Sequence, residues 1–220
     1  MEAHKIGILG GTFNPVHFGH LAAAEEVKNR LGLDKVLFIP SFLPPHKQDE
    51  ELPGAEHRLE MVRLAVRDNP AFEPCDIEIR RGGRSYTIDT IEELQRLHPR
   101  AEFYFVTGID TFLEIQTWQR WAQLLARCRF VVLSRPGYRF SCLANIDFMK
   151  GAGSDLADLD SGARTRAVVR SGAYTVYLEM IPLYDISSTD IRARVRNGTG
   201  VKYLLPDAVE TYIIKNKFYA

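Results

Sequence analysis

Short apolar runs separated by amphipathic stretches recur along this chain. Lys5-Ile6-Gly7-Ile8-Leu9, Lys35-Val36-Leu37-Phe38-Ile39-Pro40, Glu102-Phe103-Tyr104-Phe105-Val106-Thr107 and Arg129-Phe130-Val131-Val132-Leu133-Ser134 are continuous rather than alternating. Continuous hydrophobicity marks strands buried on both faces of a parallel sheet. Tyr174 to Ile181 predicts a last strand, and Cys75 to Arg80 alternates with the strand period. Between these runs the period lengthens. Leu21 to Leu31 predicts a helix beginning just after His20 and stopped by Gly32. Residues near Ala55 to Asp68 set Leu59, Val62, Leu64 and Val66 among charges, and Asn69-Pro70 ends that helix. Thr87 to Leu97 carries Ile88, Ile91 and Leu94 on one stripe. A further helical stretch holds Trp118 and Trp121, at a spacing that shares one face, and two helices close the chain after residues 186–192. Ser41 to Pro53 is proline-rich and charged and predicts a loop. Phe140 to Gly172, with glycine and serine clusters, suits either an inserted helical excursion or a flexible flap.

Strands alternating with helices predict an α/β fold, a Rossmann-like doubly wound parallel sheet with helices on both faces. Ligands in such folds bind at the carboxyl ends of the strands. The length of 220 residues suits one domain, residues 1–220, with an excursion at about 140–174. Hydrophobic residues make up 45% and charged residues 25%, while 28 basic and 28 acidic side chains cancel. Any positive potential is therefore local, and neither nucleic acid nor a membrane surface is an expected partner. The three cysteines, Cys75, Cys128 and Cys142, form no CxxC pair, which predicts free thiols in a reducing cytoplasm. No run approaches the ~18 apolar residues of a membrane span.

The chemistry gathers at strand ends. Gly10-Gly11-Thr12-Phe13-Asn14-Pro15-Val16-His17-Phe18-Gly19-His20 joins the first strand to the first helix. Free N–H groups and a helix dipole favour an anion there, and paired glycines let backbone approach a phosphate. His17 and His20 add directional donors at the helix start. Zinc would want a third or fourth ligand, and none is evident in the sequence. Ile186-Ser187-Ser188-Thr189-Asp190-Ile191-Arg192 reads equally as an N-cap and as an anion cradle. Arg192, one turn in, can grip phosphate by two parallel bonds. Two such sites at opposite ends of the chain predict a triphosphate held between two helix N-termini. Lys47, in Pro44-Pro45-His46-Lys47, is either a solvated surface lysine or a group that closes over the polyphosphate. Gly108 and Asp110 follow a strand, where a carboxylate commonly binds ribose. Trp118 and Trp121 suit core packing or stacking on a heteroaromatic ring. No Ser-His-Asp or Cys-His arrangement appears, so the pattern points to direct displacement at phosphorus, carried by positioning and charge stabilisation.

Gly11-x-Phe13-x-Pro15-x-His17-x-Gly19-His20 with Ile186-Ser187-Ser188-Thr189-x-Ile191-Arg192 resembles the nucleotidylyltransferase superfamily. The first of these together with Pro44-Pro45-His46-Lys47, Ser85-Tyr86-Thr87-Ile88-Asp89-Thr90, Thr117-Trp118 and Arg135-Pro136-Gly137-Tyr138 is similar to the bacterial nicotinate-nucleotide adenylyltransferases. The likeness runs over nearly the whole chain except roughly Phe140 to Tyr174. It implies transfer of AMP from ATP to nicotinate mononucleotide, with magnesium held mainly by ATP oxygens. By position it implies that His17 and His20 stabilise the α-phosphate and leaving pyrophosphate, and that Lys47, Ser188, Thr189 and Arg192 hold phosphates. His17, His20, Lys47 and Arg192 would carry catalysis. Gly10, Gly11, Thr12, Phe13, Gly19 and Ile186 would line the ATP site, with Gly108 and Asp110 facing adenosine. Trp118 would stack on the pyridine ring, backbone N–H groups at Thr87 and Gln119 would take its carboxylate, and Arg135 would join that side. Gln119 stands where many relatives have tyrosine, and Asn14 where aspartate is also common.

Three rivals are weighed against this. An NAD-dependent oxidoreductase would need G-x-G-x-x-G, whereas Gly7 to Gly11 reads G-x-x-G-G. A nucleotide sensor on the same fold would bind ATP without releasing pyrophosphate. A sister transferase would adenylylate phosphopantetheine or nicotinamide mononucleotide. The sequence leaves a homo-oligomer open.

Overall fold

The computed structural model describes residues 4–44 and 52–220. Its seven strands are β1 (Lys5–Gly11), β2 (Lys35–Pro40), β3 (Phe72–Pro74), β4 (Glu102–Gly108), β5 (Arg129–Leu133), β6 (Arg166–Ser171) and β7 (Tyr174–Glu179). Its α-helices are α1 (Phe18–Leu31), α2 (Ala55–Val66), α3 (Ile77–Arg81), α4 (Thr87–Leu97), α5 (Ile109–Phe112), α6 (Trp121–Arg127), α7 (Gly153–Ser161), α8 (Ser188–Arg196) and α9 (Asp207–Lys215). The strands lie in the order β3-β2-β1-β4-β5-β7-β6. The α/β, Rossmann-like fold class is thus as expected.

The chain divides into two compact units, one of Met1–Ile8, Glu26–Asp34 and Tyr86–Leu183, the other of Leu9–Glu25, Lys35–Ser85 and Tyr184–Ala220. In the first, β4 pairs with β5 and β5 with β7, all parallel. Phe103 to Val106 and Phe130 to Leu133 are buried, as their continuous hydrophobicity requires. In the second, β2 runs parallel to β3, and Val36 to Ile39 form its core with Leu59, Met61 and Val62 of α2.

Four expectations need correction. Residues 75–80 do not form a strand: Ile77–Arg81 is helical, and Arg80 Nε reaches Asp76 Oδ1 at 2.9 Å. A side-chain pair four apart faces one way in a helix, and so short a stretch reads in either period. The helix expected after His20 begins at Phe18, so His20 sits in its first turn. Trp118 and Trp121 do not share a helix face, because Arg120 between them is left-handed (φ 49°, ψ 41°) and α6 starts only at Trp121. The sheet is mixed, since β6 pairs antiparallel with β7.

Residues 140–172 divide: 140–161 are helical, whereas Arg166–Ser171 is the strand β6, which neither alternative anticipated. Phe140–Asn145 and Asp147–Ala152 are 3₁₀ turns leading into α7, with Phe140, Leu143, Met149, Leu156 and Leu159 buried. Asp160, 5% exposed, accepts N–H bonds from Phe140 (2.7 Å) and Ser141 (3.1 Å). Burial alone would raise its carboxyl, but those donors and Arg139 outweigh it and hold it below the usual range.

Candidate active site

In the second unit the site begins where β1 runs out. The Gly11 carbonyl accepts from Ser41 N–H (2.9 Å), and two residues on the backbone becomes strained. Phe13 has φ 49°, a left-handed conformation that a bulky side chain disfavours by about 1–3 kcal/mol. Its ring is buried, edge-on to His20 at 5.2 Å and tilted against Phe38 at 6.0 Å.

Four groups grip this turn. Arg58 Nη1 donates to the Thr12 carbonyl (2.8 Å), and Arg192 Nη1 to the Asn14 carbonyl (2.9 Å). Ser188 Oγ donates to the Pro15 carbonyl (2.8 Å), and the Tyr219 hydroxyl to Asn14 Oδ1 (2.5 Å). In a planar trans peptide the C=O and the following N–H point opposite ways. Capturing the Thr12 and Pro15 carbonyls therefore turns the Phe13 and Val16 N–H groups to the other side.

The histidines are ordered by the same backbone. The His17 N–H donates to His20 Nδ1 (3.2 Å), so a neutral His20 carries its proton on Nε2. The rings lie 3.7 Å apart at 32°, and His17 is 6% exposed. A Cβ at Gly19 would stand 3.0 Å from His17 Nδ1 and 3.5 Å from the Ile186 carbonyl. Glycine there lets the approach to α8 pass close to the histidine helix.

The three hydroxyls at α8 divide their work. Ser187 is the N-cap, accepting from Asp190 N–H at 3.1 Å, so the capping reading holds for it. Ser188 reaches the Pro15 carbonyl, and Thr189 Oγ1 accepts from Arg192 Nη2 at 3.4 Å. The structure thus brings Ile186, beside Gly19, and Ser188 and Arg192, with Thr189 bonded to Arg192, to the Thr12–His20 turn. Lys47 lies outside the described residues.

Sequence reasoning missed Arg58 and Tyr219. Arg58 is 1% exposed, and burial pulls its guanidinium down to about 10, offset in part by Tyr219 and Glu78. Its signal was an arginine on the apolar stripe of a helix, three and four residues before Met61 and Val62. Burial pushes the Tyr219 phenol up, against the pull of Arg192 and Arg58. A tyrosine one residue from the end of the sequence carries no such signal.

The first unit holds the other predicted groups. Gly108 ends β4, and a Cβ there would collide with Asp110 Oδ1. Asp110 Oδ2 pairs with Arg135 Nη1 at 2.8 Å, whereas Oδ1 is buried with no hydrogen-bond partner among the described residues. The two residues expected on different substrates are thus joined as an ion pair. Trp118 is half-buried, its ring edge-on to Phe105 at 5.9 Å and to Phe130 at 6.5 Å. Arg120 pairs with Asp89 (2.6 Å) and Glu92 (3.1 Å) of α4, tying the segment after Trp118 and Gln119 to the helix that Thr87 opens. In the first turn of that helix the Asp89 and Thr90 N–H groups both donate to the Tyr86 carbonyl, at 3.1 and 3.3 Å.

Among the described residues no group of three His, Cys, Asp or Glu side chains is placed to hold a metal ion. No helix among them is long and apolar enough to cross a membrane.

Comparison with known proteins agrees with this architecture. The cytidylyltransferase-like family matches residues 8–194. A Geotalea daltonii protein named "Probable nicotinate-nucleotide adenylyltransferase" is 44% identical over 216 residues, covering 98% of this chain and 98% of the relative. A Desulfitobacterium hafniense protein of the same name is 41% identical, covering 98% and 95%. Among solved structures, Plasmodium falciparum nicotinic acid mononucleotide adenylyltransferase complexed with NaAD aligns with a TM-score of 0.73 at 20% identity, over 98% of this chain and 97% of that one. The same enzyme complexed with APC gives 0.71.

Proposed function

We infer the reaction from the premise that this chain belongs to the cytidylyltransferase-like family and, within it, to the nicotinate-nucleotide adenylyltransferases. It transfers AMP from ATP to nicotinate mononucleotide, giving nicotinate adenine dinucleotide and pyrophosphate, a step of NAD synthesis. The observation that carries the reading is the pair of hydrogen bonds from Ser188 and Arg192 to the Pro15 and Asn14 carbonyls. They bring the cradle at one end of the chain onto the histidine turn at the other.

The mononucleotide's 5′-phosphate oxygen attacks the α-phosphorus of ATP in line. A new P–O bond forms as the bond to the β-phosphate oxygen breaks, and pyrophosphate leaves with that electron pair. No enzyme nucleophile is required, so catalysis comes from positioning and charge stabilisation. The Nε2–H of His20, beside His17, donates to oxygens of the α-phosphate and leaving group. The Phe13 and Val16 N–H groups, Thr189, Ser188 and the Arg192 guanidinium surround the phosphates, and Gly10, Gly11 and Thr12 line the approach. Lys47 adds positive charge from its loop. Magnesium, carried in on the ATP oxygens as part of the substrate, would neutralise developing charge.

Gly108, whose lack of a side chain makes room, and the unpartnered Oδ1 of Asp110 suit the adenosine hydroxyls. Trp118 offers a ring face to the pyridine, and N–H groups at Thr87 and Gln119 suit its carboxylate. An amide in that position would set NH₂ against N–H donors, costing about 1–3 kcal/mol. Arg135 acts through Asp110. The test is pyrophosphate release with ATP, magnesium and either mononucleotide. Faster release with the nicotinate substrate is expected. ATP binding without release would contradict the reaction, and equal rates on acid and amide would contradict the carboxylate contact.

A further inference from the structure

We propose that Arg58 is a positioning residue for the triphosphate, a buried guanidinium that fixes the direction of the Thr12–Phe13 peptide from beneath. The proposal rests on the reaction just inferred and deepens it. Arg58 donates in three directions: Nη1 to the Thr12 carbonyl (2.8 Å), Nη2 to the Phe42 carbonyl (3.1 Å) and Nε to the Pro53 carbonyl (3.0 Å). Phe42 and Pro53 lie at the two ends of the Ser41–Pro53 stretch that also contains Lys47. A single side chain on α2 therefore joins both ends of that stretch to the phosphate turn.

Three features argue for more than packing. The guanidinium is 1% exposed, and these three bonds all go to main-chain carbonyls rather than to a carboxylate, so its charge is not cancelled by them. The Tyr219 phenol and the Glu78 carboxylate face it and offset the effect of its burial only in part. A buried cation held mainly by carbonyl dipoles is favoured further when an anion arrives nearby. Second, the bond to Thr12 immediately precedes Phe13, the left-handed residue of the turn, whose conformation needs external support. Third, three carbonyls in fixed directions match the planar fork of arginine, and lysine offers a point charge instead.

The experiment compares wild type with Arg58→Lys and Arg58→Gln. It reads kcat, KM for Mg·ATP, KM for nicotinate mononucleotide, and pyrophosphate affinity by calorimetry. Both variants are expected to raise KM for ATP and Kd for pyrophosphate by roughly tenfold or more, with KM for the mononucleotide within about twofold of wild type. Lower melting temperature with both KM values unchanged, or raised in parallel, would overturn the proposal. Should neither variant fold, hydrogen exchange on the wild type decides. Pyrophosphate must then slow exchange across residues 55–62 as well as 10–14, and protection confined to 10–14 would overturn it. Failure of the reaction itself reads differently: pyrophosphate affinity would still depend on Arg58 although wild type formed no dinucleotide.

Discussion

Replacing Arg192 with lysine separates charge from geometry where the α8 segment meets the histidine turn. Arginine sends Nη1 to the Asn14 carbonyl at 2.9 Å and Nη2 to Thr189 Oγ1 at 3.4 Å. Lysine keeps the positive charge but cannot span both acceptors from one plane. The shorter bond has an ionised donor, and such bonds contribute about 1.5–3 kcal/mol. The longer one is near the limit of a hydrogen bond and adds little. If the Asn14 carbonyl must be held for the turn to receive ATP, kcat/KM for ATP falls roughly 10- to 150-fold. Steady-state pyrophosphate release at saturating nicotinate mononucleotide measures it. A melting curve on the same preparation separates lost stability from lost activity, since about 1 kcal/mol moves a protein of this size by some 2–4 °C. A folded Arg192→Lys enzyme with kcat/KM within about twofold of wild type would show that ATP does not need the Asn14 carbonyl held by a guanidinium.

The remaining predictions concern three other residues. His20→Ala should lower kcat by roughly 100- to 1000-fold while the far-ultraviolet spectrum is unchanged, because it removes a donor aimed at developing charge; wild-type turnover would take His20 out of the mechanism. Trp118→Ala should raise KM for nicotinate mononucleotide by the worth of one stacking contact, about 1–3 kcal/mol, with KM for ATP nearly unmoved; equal effects on both would exclude stacking. Asp160, whose pKa is depressed, stabilises the fold above the ordinary carboxylate value of ~3.9, and that contribution is lost as pH falls through its folded value. Asp160→Asn should therefore be less stable than wild type near neutral pH, and urea midpoints of the two should converge in acid. A gap independent of pH would place the effect elsewhere.

Much of this molecule is legible in its sequence, for identifiable reasons. The runs at Lys35–Pro40, Glu102–Gly108 and Arg129–Leu133 read as buried strands because nothing polar interrupts them. The helix at Thr87–Leu97 reads at once from a stripe with clear ends. Ile77–Arg81 misled because a five-residue helix offers barely more than one turn of period. β6 was hidden by its place at the sheet edge, where buried Ala167 and Val169 are flanked by exposed Arg166 and Arg170 and separated by half-buried Val168, inside a glycine- and serine-rich region. The site divides the same way. His17, His20, Ser188 and Arg192 stand in motifs whose spacing carries meaning. Arg58 acts through three carbonyls distant in sequence, and backbone acceptors leave no trace in residue type. The ion pair between Asp110 and Arg135 depends on two parallel strand ends lying side by side, Gly108 opposite Leu133, which local pattern does not encode.

The convergence of the histidine turn and the α8 cradle on one nucleotide is tested most directly by crystallography with magnesium and a non-hydrolysable ATP analogue. A single triphosphate within hydrogen-bonding distance of both His20 Nε2 and the Arg192 guanidinium is expected. A triphosphate bound to one of these groups and remote from the other would contradict the convergence.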